Sequence, residues 1–299
     1  YLSDQNKYFI DIFSEPSLKV QYDRQYFISL DGNVRVTIDT NQSFTEMNSK
    51  LASKFFLDDV FIVELRGKRA IVTGGAIRLG RAIALALADA GVDIGLHYFH
   101  SRDAANKTCE EIRARGTRAF SIQADLSDAA NSAQHIVAET AAALGGVDIL
   151  INSAAVFDAE TLQAMTAESW QRTMAINLQA PTFLCQEFSA QAGPKQQAHI
   201  VNIVDWRAMR TDPEHLVYTL SKSGLVSLTR NLAVELAPQI QVNAVAPGAI
   251  LPPPGEEESY LDKLAQNIPL QRPGSPADVT DAVLYLLRSD FVTGEVLNV

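Results

Sequence analysis

The sequence predicts an α/β protein built on a doubly wound parallel sheet of seven strands, a Rossmann-type fold, preceded by a small N-terminal β segment. From Lys68 onward, short apolar runs rich in β-branched residues alternate with stretches of helical spacing. That is the pattern of βαβ units whose strands are buried on both faces. Residues 69–91, RAIVTGGAIRLGRAIALALADAG, compress one such unit into strand, glycine turn and helix. Residues 1–66 instead read as alternating strands, so the chain divides into a β-rich segment at 1–66 and a larger domain at 67–299, with the seam near residues 65–68.

In the first segment, LKVQYDRQYFISL (18–30) and VRVTIDT (34–40) flank Asp31-Gly32-Asn33, where Asp-Gly marks a hairpin turn, and FFLDDVFIVEL (55–65) suggests a third strand. The runs YDRQYF, DGNVRVTID and VELR resemble the later part of the VTC-type polyphosphate polymerase domain. The resemblance covers about the first fifth of the chain and implies phosphate and metal contacts for Arg24, Arg35 and Glu64. The sequence holds too few strands to close such a tunnel. The alternative is a β-hairpin segment packed on the main domain with its charges solvated.

In the larger domain, Ala70 to Thr73 form the first strand; Ile83 and Leu87, four apart, mark a helix that Gly91 stops. Further strands are expected at 92–98, 117–125, 147–155, 199–206, 241–250 and 294–299, with helices near 102–115, 128–144, 167–192, 215–237 and 276–288. Residues 252–264, prolines and an acidic run followed by an apolar patch, read as a loop with a short helix that covers the substrate. In such a sheet ligands bind beyond the carboxyl ends of the strands. Those ends carry Thr73-Gly74, Tyr98 to Arg102, Asp125-Leu126, Asn152 to Phe157, Asp205 and Pro247-Gly248. Gly74 and Gly80 let the backbone approach a diphosphate, and the first N–H groups of the helix point at it.

Composition narrows the classes. With 299 residues, 47% of them hydrophobic, the chain can bury a substantial core. A formal charge of −10 opposes a nucleic-acid or anionic-membrane surface. Cys109 and Cys185 lie far apart without the clustered spacing of a metal site, and reduced buried thiols are expected. No apolar run spans a bilayer and no signal-peptide pattern follows Tyr1, so a cytoplasmic protein is expected.

Over residues 67–299 the motifs resemble the short-chain dehydrogenase/reductase family. TGGAIRLG (73–80) matches its cofactor loop, with Arg78 in place of the middle glycine; Asp125-Leu126 matches its adenine-side pair; NSAA (152–155) its fourth-strand motif; Asn177 its helix asparagine; YTLSK (218–222) its Tyr-x-x-x-Lys; and Pro247-Gly248 its nicotinamide-side turn. The sequence departs from the family where a catalytic serine is usual: Asp205 stands there. Tyr218 and Lys222, four apart on a helix, project from one face. An ammonium beside a phenol is expected to lower the tyrosine pKa toward working pH.

Arg78, HYFHSR (97–102), Phe157, VDWRA (204–208) and GAILPP (248–253) further resemble the pteridine reductases. This resemblance implies NADPH-dependent reduction of a pterin or folate held between the nicotinamide and Phe157. It also implies a catalytic set of Asp205, Tyr218, Lys222 and Asn177, substrate contacts from Phe157, Asp205 and Tyr218, and a homotetramer. A carboxylate suits a pterin, whose amino and ring N–H groups it can accept. The cofactor contacts expected are Gly74, Arg78, Leu79, Gly80, Tyr98, His100, Ser101, Arg102, Asp125, Leu126, Asn152, Ser153, Ala154, Tyr218, Lys222, Pro247 and Gly248. NADPH is expected over NADH because no carboxylate precedes Asp103 after the second strand, while Arg78 and Arg102 supply charge and His100 and Ser101 hydrogen bonds for a 2′-phosphate. Two alternatives stay open: a general carbonyl or 3-oxoacyl reductase, and an inactive reductase scaffold carrying a phosphate-binding N-terminal module.

Overall fold

The structure is a computed structural model that describes residues 65–191, 197–210, 212, 214–253, 259–266 and 268–299, Ser259 and Asp262 by backbone alone, together with five backbone strands among residues 1–64. Two units separate at Gly67 and Lys68.

The first unit is an antiparallel sheet of β1 (Asn6–Asp11), β2 (Leu18–Ile28), β3 (Arg35–Glu46), β4 (Lys54–Leu57) and β5 (Val60–Ile62). Its order is β1-β2-β3-β4, with β5 also on β3. Ile28 lies opposite Arg35, the pairing that a hairpin about Asp31-Gly32 requires. Strand β1 was not anticipated; NKYFID lacks clean alternation. The side chains of Arg24, Arg35 and Glu64 lie outside the described residues.

In the second unit every strand is followed by one or two helices before the next: β6 (Arg69–Val72), α1 (Arg78–Asp89), β7 (Asp93–Tyr98), α2 (Arg102–Ala114), β8 (Ala119–Gln123), α3 (Ala129–Leu144), β9 (Ile149–Asn152), α4 (Ala167–Met174), α5 (Ala180–Gln191), β10 (Ala198–Ile203), α6 (Leu216–Glu235), β11 (Ile240–Ala246), α7 (Ser259–Ala265), α8 (Pro276–Arg288) and β12 (Val296–Asn298). The seven strands pair in parallel in the order β12-β11-β10-β9-β6-β7-β8. The order reverses between β6 and β9, which opens a crevice beyond their carboxyl ends. Ile71, Leu150, Ile200 and Val242, on neighbouring strands, are buried with Ile136, Leu184 and Phe188 of α3 and α5 against them. That continuous apolar layer holds the strand ends in fixed register.

The helix expected over residues 167–192 is interrupted. Between α4 and α5 the segment Ala175–Gln179 is π-helical, and Asn177 sits in it. Such π segments inside α-helices are rare and are frequent at functional sites.

Candidate active site

The turn after β6 is shaped by contacts that only glycine tolerates. Gly74 has φ +63, and a Cβ on Gly80 would lie well inside van der Waals contact of the Gly74 carbonyl. Arg78, though not a glycine, takes a left-handed backbone, with φ +53. Helix α1 begins without a side-chain cap at Ile77 and without an acid in its first turn. Its first N–H groups therefore remain for an anion. They open on a cleft of about 650 Å³ lined by Gly74, Arg78, Leu79 and Gly80 on one side and Ser153 and Ala154 on the other.

Two side chains brace this turn. The Thr73 hydroxyl accepts the N–H groups of Ser153 (2.9 Å) and Ala154 (3.0 Å), tying the ends of β6 and β9 together. His97 Nδ1 accepts the Gly74 N–H at 3.2 Å, so its proton sits on Nε2 and is donated to the Ala124 carbonyl at 3.1 Å. Burial pulls the imidazole pKa down to about 4, which keeps it neutral and able to accept.

At the far wall, His100, Asp125 and Leu126 line the cleft as the sequence suggests. Asp125 Oδ1 also accepts the Ser127 N–H at 2.9 Å, fixing the turn after β8. Ser127, Ile176 and Arg172, which lie between motifs rather than in them, join the lining without having been singled out, as does Phe99 from within HYFHSR. Four expected residues are placed otherwise. Tyr98 is buried at the end of β7. Ser101 is the residue before α2, its side chain uncapping, and Arg102 donates to Gln123 Oε1 at 2.9 Å. Asn152 turns into the sheet, where its Nδ2 donates to Asn202 Oδ1 at 2.8 Å.

A second cavity of about 220 Å³ shares Arg78, Leu79, Ser153 and Ala155 with the first, and is closed by Asp205, Tyr218, Lys222, Pro247 and Gly248. Helix α6 delivers Tyr218 and Lys222 from one face. The Tyr218 hydroxyl donates to Asp205 Oδ2 at 3.1 Å, and Lys222 Nζ donates to the Ile203 carbonyl at 2.9 Å. Asn177 does not reach the cavity: its Oδ1 accepts the Val156 N–H (2.9 Å), and its Nδ2 donates to the Val156 carbonyl (2.9 Å) and Ser221 Oγ (3.2 Å). Its role in the structure is to bind the loop after β9 to α6. Arg78 reaches across to the Pro252 carbonyl, 2.5 Å away.

The expectation of a tyrosine pKa lowered by lysine is corrected. Burial and the adjacent Asp205 carboxylate raise the Tyr218 pKa well above its ordinary value, so the phenol is held neutral. The lysine does not reverse this because its Nζ is turned to Ile203 and lies 5.7 Å from the Tyr218 ring centroid. Lys222 is itself lowered to about 8 by complete burial, against which Asp205 pulls upward.

Phe157 stands at the rim of this centre. It stacks on His215 with ring centroids 4.3 Å apart and 9° between planes, and meets Tyr218 edge-on at 4.7 Å. Sequence motifs did not single out Arg207, Asp212 and His215, which form a polar cluster beside Asp205; the signal for Arg207 lay two residues beyond Asp205 in VDWRA. Among the described residues no three His, Cys, Asp or Glu side chains group to hold a metal ion, and no helix is long and apolar enough to cross a membrane.

A family model described as Enoyl-(Acyl carrier protein) reductase matches residues 75–299, and a VTC domain model matches residues 7–79. A 3-oxoacyl-[acyl-carrier-protein] reductase, FabG, of Staphylococcus epidermidis is 31% identical over 237 residues, spanning 78% of this chain and 97% of its own. Versicolorin reductase 1 of Aspergillus parasiticus is 33% identical over 253 residues, 79% of this chain and 95% of its own. Among solved structures, the FolM alternative dihydrofolate reductase 1 of Brucella canis complexed with NADP superposes with a TM-score of 0.75 at 31% identity, covering 79% of this chain and 93% of the other.

Proposed function

The chain belongs to the short-chain dehydrogenase/reductase family, and from that premise we propose that it uses NADPH to reduce a pterin, a dihydropterin or dihydrofolate, to the tetrahydro form. The observation that carries this reading is the contact between the Tyr218 phenol and the Asp205 carboxylate at the base of the smaller cavity. A carbonyl substrate calls for neutral donors around its oxygen, and a carboxylate there repels the developing oxyanion. A pterin offers N–H groups that a carboxylate accepts.

The residues present fit NADPH. The uncapped start of α1 suits the diphosphate, and the cleft runs from there to His100 and Asp125 on one side and to Tyr218 and Lys222 on the other. Among the described residues, the end of β7 presents no carboxylate to the cleft. The solved FolM structure carries NADP in the corresponding fold, which supports the same choice here. When bound, NADPH supplies the hydride.

The chain's own groups handle the proton. Tyr218, kept neutral, holds a proton for a ring nitrogen of the substrate; to give it up, the hydroxyl swings from Asp205 Oδ2 toward that nitrogen. Asp205, released, accepts an N–H of the substrate and fixes the ring. Lys222, charged below about pH 8 and turned to the Ile203 carbonyl beside the Tyr218 ring, is the residue that would hold the nicotinamide ribose of the cofactor. Phe157 offers an aromatic wall at the rim, one face of which already carries His215.

A second reading, reduction of 3-oxoacyl thioesters, is favoured by the FabG relative. Following NADPH oxidation with dihydrobiopterin, dihydrofolate and an acetoacetyl thioester separates the two: the pterin reading requires the first or second to have the higher kcat/KM. A homotetramer, usual in the family, is part of the proposal and is checked by light scattering.

A further inference from the structure

We propose that Arg207 is a positioning residue that holds the Asp205 carboxylate in a single orientation, with Asp212 as its anchor; the inference rests on the reading that Asp205 acts at the substrate. The first step is geometric. Asp205 follows the end of β10 at Ile203 and caps the 3₁₀ turn Trp206–Met209. Its Oδ1 accepts the Arg207 N–H at 2.8 Å and faces the Arg207 guanidinium at 3.5 Å. Its Oδ2 is left for the Tyr218 hydroxyl. An aspartate at a strand end could otherwise turn either oxygen to the cavity or rotate out of it.

The second step concerns what holds the arginine. Its Nε donates to Asp212 Oδ2, which also meets His215 Nδ1 at 3.2 Å, while Asp212 Oδ1 accepts the Glu214 N–H at 3.0 Å. The guanidinium lies over the Trp206 ring, with Cζ 4.5 Å from its centroid, and 5.2 Å from that of Phe157. Only 15% of the side chain is exposed. A planar fork fixed by two carboxylates and two rings cannot swing as a lysine would. It leaves one carboxylate oxygen, not two, to receive a substrate N–H, so recognition by Asp205 is monodentate and shared with Tyr218.

The test is a double-mutant cycle of Arg207→Gln and Asp205→Asn, with kcat and KM for dihydrobiopterin, NADPH affinity by fluorescence, and thermal unfolding of each variant. If Arg207 acts through Asp205, Arg207→Gln alone lowers kcat by roughly 10–100-fold with NADPH affinity within about two-fold, and changes kcat by less than about two-fold once Asp205 is Asn. Arg207→Lys should recover part of the loss, and Asp212→Asn should show a smaller loss that also vanishes with Asp205→Asn. Should Arg207→Gln fail to fold, the Arg207→Lys and Asp212→Asn cycles carry the same comparison. Equal losses in both backgrounds, or an unchanged kcat in Arg207→Gln while Asp205→Asn is damaging, overturn the inference alone. Unchanged dihydrobiopterin turnover in Asp205→Asn overturns the reading of Asp205 and the inference with it.

Discussion

The Tyr218 hydroxyl and the Asp205 carboxylate share one hydrogen bond, Oη to Oδ2 at 3.1 Å, and burial together with the carboxylate holds the phenol in its protonated form. The pair is thus a loaded proton donor beside an acceptor for N–H groups. Tyr218→Phe should abolish proton delivery and lower kcat by about 10²–10⁴-fold at neutral pH, the usual range for a positioned acid. Steady-state rates with dihydrobiopterin check this, and a loss under ten-fold would remove Tyr218 from the mechanism.

Turnover should fall as pH rises through about 8, because on the proposed reading Lys222 then loses the charge that holds the nicotinamide ribose. The sign for stability is the opposite. Burial lowers the folded pKa from 10.5 to about 8, so between those values the unfolded chain binds more protons and stability rises with pH. Lys222→Met should therefore raise the unfolding temperature more at pH 7 than at pH 10.5, while losing activity. Paired calorimetric scans at the two pH values decide it.

Arg78→Ala should raise the KM for NADPH far more than that for NADH. A charge-assisted contact to phosphate contributes about 1.5–3 kcal/mol, and Arg78 lines both cavities. Equal effects on the two cofactors would assign Arg78 to the Pro252 contact alone.

Phe157→Ala should weaken dihydropterin binding by about 0.5–1.5 kcal/mol beyond simple burial, with kcat less affected. The ring also braces His215 and Tyr218, so a fall in kcat larger than the rise in KM would show that bracing outweighs stacking.

Much of this was legible in the sequence for physical reasons. The β-branched runs and the glycines at 74 and 80 leave few ways to fold, and the i, i+4 spacing of Tyr218 and Lys222 puts them on one face. Motif spacing places backbones; it does not aim side chains. Asn177, Asn152 and Arg102 therefore sit on the expected elements, yet spend their polar groups on Val156, Asn202 and Gln123. The π segment about Asn177 had no sequence signal; Arg207 lay in VDWRA, but nothing in the sequence paired it with Asp212 and His215.

The central claim is that a carboxylate at position 205 selects a pterin over a 3-oxoacyl substrate. The most direct measurement is kcat/KM for dihydrobiopterin and for an acetoacetyl thioester in the wild-type protein and in Asp205→Ser. The account predicts a preference for dihydrobiopterin in the wild type and a loss of about 10²–10⁴-fold in its turnover on substitution. Unchanged dihydrobiopterin turnover in Asp205→Ser, or thioester reduction rising above it, would contradict the pterin assignment and leave the chain a reductase of the wider family.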